Sequence, residues 1–115
     1  MTTHDPKAIA KVKACTTMQD VRREVNALDD VLVPLLVERV GYMTQAARIK
    51  QDATQVRDEA RIQAIVDRVR EQAQAEGGDA DVMETIYRSL MEACIAYEHR
   101  EFARLREPAL AGSAA

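Results

Sequence analysis

Three basic residues lie in a pattern that is otherwise apolar, and they are the first sign of chemistry in this sequence. Apolar residues recur at helical spacing from Met18 to Ala47. Arg39 continues this stripe by one turn, Lys50 follows eleven residues later on the same face, and Arg22 lies near its start. A buried cation is costly unless an anion pairs with it. The pattern therefore predicts either an anion-binding site or a set of internal ion pairs.

The spacing along a helix decides which cations could share a ligand. Arg39 and Lys50 are ~16 Å apart along the axis, so two long side chains leaning inward could bracket one small anion. Arg22 is ~25 Å from Arg39 and could join them only from an antiparallel partner chain. A dicarboxylate in a pocket shared by two subunits would suit these cations, because arginine grips carboxylates in bidentate fashion. The alternative is salt bridging to acidic residues on neighbouring turns, namely Glu24, Asp29, Asp30 and Glu38.

Composition restricts the class of protein. The chain has 115 residues, 3% aromatic residues and a net charge of −3, and good helix formers dominate. One all-α domain is expected, without a basic surface for nucleic acid.

No apolar run reaches the roughly 20 residues of a membrane helix, and the first residues do not resemble a signal peptide. The two cysteines and two histidines have no metal-site spacing. The sequence predicts a cytoplasmic protein that uses no metal or cofactor.

Capping and breaking residues divide the chain into three helices. The first is expected from Thr16 or Thr17, with a capping box formed by Thr16 and Gln19, and it spans about 33 residues with a kink at Pro34. The second is expected from about Arg57 to Ala75. The third follows two glycines, is capped by Asp79 or Asp81, and ends before Pro108. The predicted organisation is a flexible arm at 1–15, a helical domain at 16–107 and a disordered tail at 108–115.

The predicted first helix is too long for its own chain to cover. At the standard rise it measures ~50 Å. A compact domain of this size has a radius of gyration of roughly 13 Å. Two shorter helices cannot bury its whole apolar stripe, so the sequence predicts an intertwined helical homodimer.

These segments carry a resemblance to a known family. Residues 22–29, 35–39, 46–50 and 56–61 resemble, in order and spacing, the all-helical chorismate mutase family, and residues 79–98 resemble it more loosely. The isochorismate-pyruvate lyases share this fold and most of its pocket. The resemblance implies a dimer with two equivalent sites. It also implies that Arg22 enters the other subunit's site and binds a carboxylate, that Arg39 binds the second carboxylate, and that Lys50 donates to the ether oxygen and a carboxylate.

The resemblance also assigns residues beyond the first helix. Asp58 and Arg61 lie where the family has substrate-contacting and supporting residues, and Cys94 lies where a small polar residue often stands. Glu98 replaces a glutamine that donates to the ether oxygen, so it must be protonated to do the same. Ile62 replaces a glutamate that contacts the substrate hydroxyl. The alternative for Glu98 is that it points to solvent beside the next two residues, His99 and Arg100.

The resemblance implies a reaction that needs no nucleophile, metal or cofactor. Chorismate mutase rearranges chorismate to prephenate, and catalysis consists of holding the reactive conformer and stabilising charge on the ether oxygen. The alternative function is isochorismate-pyruvate lyase. Ile62, Tyr42, the 46–50 segment and a connection from Lys50 to Arg61 that is one residue shorter than in the typical mutase favour the lyase, whereas the 56–58 segment favours the mutase. A second alternative is a non-catalytic helical interaction dimer, which would leave Arg39 and Lys50 on the apolar side unexplained.

Overall fold

The structure is a computed structural model and describes residues 9 and 11–107. The regular elements of this part of the chain are three helices and one short 3-10 turn. The helices are α1 (Met18–Ile49), α2 (Glu59–Ala75) and α3 (Ala80–Leu105), and a 3-10 turn, Ala53–Gln55, lies between α1 and α2. The described residues contain no strand, so the prediction of an all-helical chain is confirmed. Most of the predicted arm and the whole predicted tail lie outside the described residues. Residues 11–15 are not helical.

The start of α1 differs from its predicted form by one residue. Thr17 is the N-cap: its side chain accepts a hydrogen bond from the Asp20 N–H at 3.0 Å, and the Asp20 carboxylate accepts one from the Thr17 N–H at 3.2 Å. The prediction of a box between Thr16 and Gln19 is wrong. An ionised carboxylate is a stronger acceptor than a neutral amide, and Asp20 also pairs with Arg23. This pairing and the hydrogen bonds lower the pKa of Asp20 from 3.8 to about 2.

The helix α1 continues without interruption through Pro34 and has 32 residues. Its interpretation as a single element is confirmed, whereas the bend at Pro34 stays a prediction. The helix ends at Lys50, whose backbone is extended with φ −64° and ψ 146°. Lys50 is therefore the first residue after α1 with a non-helical backbone.

The ends of α2 and α3 follow the residues that the sequence indicated. Asp58 caps α2 by accepting from the Arg61 N–H at 3.0 Å, so α2 begins two residues later than expected. Gly77 has φ 78°, a conformation that glycine adopts without strain, and it ends the turn after α2. Asp79 caps α3 by accepting from the N–H groups of Asp81 and Val82.

The central element is α3, because both α1 and α2 pack against it and barely touch each other. The core between α2 and α3 consists of Ile62, Val66 and Met91, with further packing from Ile65, Tyr87 and Ile95. Since α1 and α2 are held apart, a cleft remains between them with α3 as its floor.

The chain is elongated, and the N-terminal half of α1 extends away from the other helices. The described residues span 68 × 32 × 15 Å, with a radius of gyration of 19.5 Å rather than the roughly 13 Å of a compact domain. Large apolar side chains on this half of α1 are exposed, among them Met18, Val25, Leu28, Val31 and Leu32. In the described part of the chain, no helix is long and apolar enough to cross a membrane.

Candidate active site

The cleft between α1 and α2 contains a cavity of about 320 Å³, within the size range of small-molecule sites. All three helices and the connection between α1 and α2 contribute to its lining. Seven of the eight predicted site residues line it: Arg39, Lys50, Asp58, Arg61, Ile62, Cys94 and Glu98. The eighth, Arg22, is exposed on the extended half of α1 and is not part of this cavity.

The deepest polar contact in the cavity joins α1 to α3. The Lys50 Nζ donates to the Glu98 Oε2 at 2.7 Å and also lies 3.4 Å from the Val56 carbonyl oxygen. Glu98 is only 3% exposed, so the alternative that it points to solvent is wrong. It shares the inner face of α3 with Cys94, one turn earlier, and Met91, two turns earlier, and this face forms the cavity floor. Lys50 and Glu98, which both line the cavity, thus form an ion pair with each other.

Arg39 occupies the other end of the cavity. Its Nη1 donates to the Cys94 Sγ at 3.5 Å, and its guanidinium lies 5.6 Å from the centre of the Tyr87 ring. Among residues 9 and 11–107, Arg39 forms no ion pair. The alternative of ion pairing within α1 therefore does not describe Arg39. Its half-buried guanidinium retains donors for a ligand carboxylate.

The start of α2 forms a second wall. Asp58 lines the cavity, and its carboxylate is already engaged as the cap of α2. Arg61 is exposed at the cavity mouth. Ile62 is buried and belongs to the core cluster, so it offers the cavity only apolar surface. This wall therefore supplies one cation, Arg61, and an apolar surface at Ile62, where no carboxylate is present.

Charge and apolar surface are separated within the cavity. Arg39 and Lys50 lie at different points along α1 with Met43 and Ala46 between them, and Ile65, Met91 and Ile95 add apolar surface from the other two helices. An apolar ring that carries carboxylates matches this lining, because each carboxylate can meet a cation while the ring packs on the side chains. Within the described residues, no group of three His, Cys, Asp or Glu could hold a metal ion.

Sequence reasoning missed a polar network beside the cavity. The Thr44 hydroxyl donates to the Glu101 Oε1 at 2.7 Å, and Arg104 donates to both oxygens of Glu101 at 2.8 and 2.9 Å. Glu101 is buried, and Arg104, followed by Thr44, lowers the pKa of its carboxyl from 4.5 to about 2. The available signal was a carboxylate three residues after Glu98 on the same helix face. Its partner on α1 is 57 residues away in sequence, which no local pattern reveals.

The comparison with protein families agrees with this geometry. The family model for chorismate mutase type II matches residues 21–99, which include the extended half of α1, the cleft and the cavity floor. No curated protein matches the chain at a significant level. The match covers more than half of the chain and all eight predicted site residues. The chain belongs to the chorismate mutase type II family.

Proposed function

We propose that this protein is a chorismate mutase, which converts chorismate to prephenate in a cationic cavity shared by two subunits. The observation that carries the proposal is the convergence of Arg39, Lys50 and Glu98 in one cavity with apolar walls. The substrate is a ring bearing two carboxylates and an ether oxygen. Its rearrangement is intramolecular, so it requires positioning and charge stabilisation rather than a nucleophile.

Each cavity residue has a proposed role. The Lys50 ammonium donates to the ether oxygen and to a carboxylate, and Arg39 binds the ring carboxylate with Cys94 beside it. Glu98, when protonated, donates a second hydrogen bond to the ether oxygen. Asp58 and Arg61 hold the start of α2 against the substrate, and Ile62 packs on the ring. These assignments are supported by the shared cavity and by the Lys50–Glu98 distance of 2.7 Å.

The uncovered half of α1 supports the homodimer. A heptad pattern runs along the whole helix, with alternating spacings of three and four residues; we call it the α1 stripe. Its members are Met18, Val21, Val25, Leu28, Leu32, Leu35, Arg39, Tyr42, Ala46 and Ile49. Every large apolar member is at least 36% exposed in the single chain. Such a pattern is typical of a helix that pairs with another helix along its length.

Antiparallel pairing of two α1 stripes would also complete the cavity. With full overlap, Met18 of one copy lies opposite Ile49 of the other. Arg22 of the partner subunit then lies opposite residue 45, between Arg39 and Lys50. The overlap that buries the most apolar surface thus brings a further cation to the cavity, beside Arg39, Lys50 and Arg61. This agreement supports a site built from both subunits.

One observation favours isochorismate-pyruvate lyase as a second candidate function. Position 62 lines the cavity with an apolar side chain, where the typical mutase has a glutamate that contacts the substrate hydroxyl. The lyase would use the same cations to expel pyruvate from isochorismate. A purely structural interaction dimer explains the α1 stripe, but it does not explain why Arg39 lines a cavity without an ion pair to any described residue.

Parallel assays of chorismate and isochorismate test the proposal. We expect loss of chorismate absorbance with formation of prephenate, and a smaller rate or none with isochorismate. Formation of salicylate and pyruvate as the main reaction would favour the lyase instead.

Arg39→Ala and Lys50→Ala should each lower kcat/KM by orders of magnitude. Arg88→Ala, which removes an exposed arginine of α3, should match wild type. Turnover of neither substrate by the folded dimer would leave only the interaction dimer.

A further inference from the structure

Lys50 is held at its backbone as well as at its side chain. Its N–H donates to the Ala46 carbonyl at 3.0 Å as the last bond of α1. Its own carbonyl lies beyond the helix, because the Lys50 backbone is extended. A carbonyl in this position has no partner within α1 and must find one elsewhere.

Arg106 supplies this partner from the end of α3. Its Nη2 donates to the Lys50 carbonyl oxygen at 2.5 Å, across 56 residues of sequence. The Arg106 guanidinium is itself held in place. Its Cζ lies 3.5 Å from the centre of the Phe102 ring, and its Nη1 donates to the Phe102 carbonyl oxygen at 3.3 Å. A cation at this point also interacts favourably with the negative end of the α1 dipole.

The two links between Lys50 and α3 lie on different sides of α1's end. Inside the cavity, the Lys50 ammonium contacts Glu98. The other link joins the Lys50 carbonyl to Arg106, which does not line the cavity. When a ligand competes for the ammonium, the first link weakens, but the second does not depend on the ligand. Arg106 therefore keeps the Lys50 backbone in place when the side chain changes partner.

We propose that Arg106 is a positioning residue for Lys50: it touches no substrate, and it fixes the backbone from which the ammonium reaches the ether oxygen. Its effect on turnover rests on the proposed function. A small displacement of a group that stabilises the transition state lowers kcat more than it weakens ground-state binding. We expect Arg106→Ala to lower kcat by about tenfold, because a misplacement on the order of 1 Å has costs of this size or larger. KM should change by less than about twofold.

Conservative and matched variants separate positioning from general stability. Arg106→Lys keeps a cationic donor and should recover part of the lost kcat, although an ammonium lacks the planar fork that stacks on Phe102. Arg88→Ala removes an exposed arginine from the same helix and should leave kcat unchanged. In a Lys50→Ala background, Arg106→Ala should cost no further activity, because the group that it positions is absent.

Hydrogen exchange on the full-length protein tests the positioning without using turnover. The last-turn amides of α1, from Ala47 to Lys50, should exchange several-fold faster in Arg106→Ala than in wild type or Arg88→Ala. Unchanged exchange would overturn the proposal. Faster exchange with unchanged kcat would overturn its functional part. If wild type turns over neither chorismate nor isochorismate, the proposed function fails separately, and the exchange result alone decides whether Arg106 holds Lys50.

Discussion

At the residue scale, two buried carboxylates of α3 lie in different surroundings. Glu101 is fixed as an anion by Arg104 and Thr44. Glu98 has Lys50 as its partner, and the proposed mechanism assigns the same ammonium to the substrate. Once the two carboxylates of a bound substrate face Arg39 and Lys50, a further anion at position 98 is repelled by them. A neutral donor at position 98 would avoid this repulsion.

The need for a neutral donor at position 98 predicts the pH dependence of turnover. An ionised carboxylate at this position would repel the developing charge on the ether oxygen, whereas the protonated acid donates to it. We therefore expect wild-type activity to fall as pH rises. Glu98→Gln should flatten this dependence and keep or raise activity at high pH, because the amide donates at every pH. The measurement is kcat and kcat/KM against pH for both proteins.

A matched variant shows whether any change belongs to this position. Glu71 is exposed on α2, and Glu71→Gln should keep the wild-type pH profile. Identical profiles for wild type and Glu98→Gln would mean that the carboxyl group plays no part in turnover. A Glu98→Gln protein that loses activity at every pH would favour the ionised carboxylate, acting through its pair with Lys50.

Most of the site residues could be found from sequence, because their evidence is local. Arg39 and Lys50 break a helical apolar pattern, and Glu98 and Ile62 differ from a family motif at defined positions. Glu101 and Arg106 could not be found in this way. Both act through a partner on α1 more than 50 residues away, and their types and spacing are ordinary for an exposed helix face.

At the element scale, the connection between α1 and α3 determines the shape of the cavity. Several polar links join these helices near their C-terminal ends, among them Thr44 to Glu101, Lys50 to Glu98, and the Lys50 carbonyl to Arg106. The apolar core lies on the other side, between α2 and α3. The cleft is therefore open because α1 packs on α3 and not on α2.

The polar link at Glu101 predicts how stability depends on pH. Its pKa is lowered to about 2 from the ordinary 4.5, so the folded state favours the ionised form. The stabilisation is fully present above pH 4.5 and is lost as pH falls towards 2. Glu101→Gln should be less stable than wild type at pH 7, with a difference that shrinks on acidification. Urea unfolding at several pH values measures this.

Glu71→Gln again provides the control, since its difference from wild type should be small at every pH. A Glu101→Gln deficit in stability that stays constant down to pH 2 would show that packing, and not charge, explains the effect.

Sequence reasoning predicted the three helices but not the polar contacts between α1 and α3. Helix bounds follow from caps and glycines close in sequence, whereas the register of one helix on another depends on side chains far apart in the chain.

At the scale of the whole molecule, two observations agree with the proposed homodimer. The α1 stripe is exposed along its length, and Arg22 lies outside the cavity that the other seven predicted site residues line. A second copy in antiparallel pairing would account for both. Sedimentation should therefore give about twice the chain mass of 12.8 kDa. Unfolding should depend on protein concentration, and a folded monomer at micromolar concentration would contradict the dimer.

Mixing two inactive variants tests whether the site is shared. Arg22→Ala damages the partner's site, and Arg39→Ala damages the chain's own site. In their heterodimer, both damaged residues fall in one site, and the other site is intact. Random exchange of subunits makes half of the dimers mixed, so the mixture should recover about a quarter of wild-type activity. Arg39→Ala mixed with Lys50→Ala is the control and should recover nothing, because each chain then carries its own damaged site. Equal activity in the two mixtures would place Arg22 outside the partner's site.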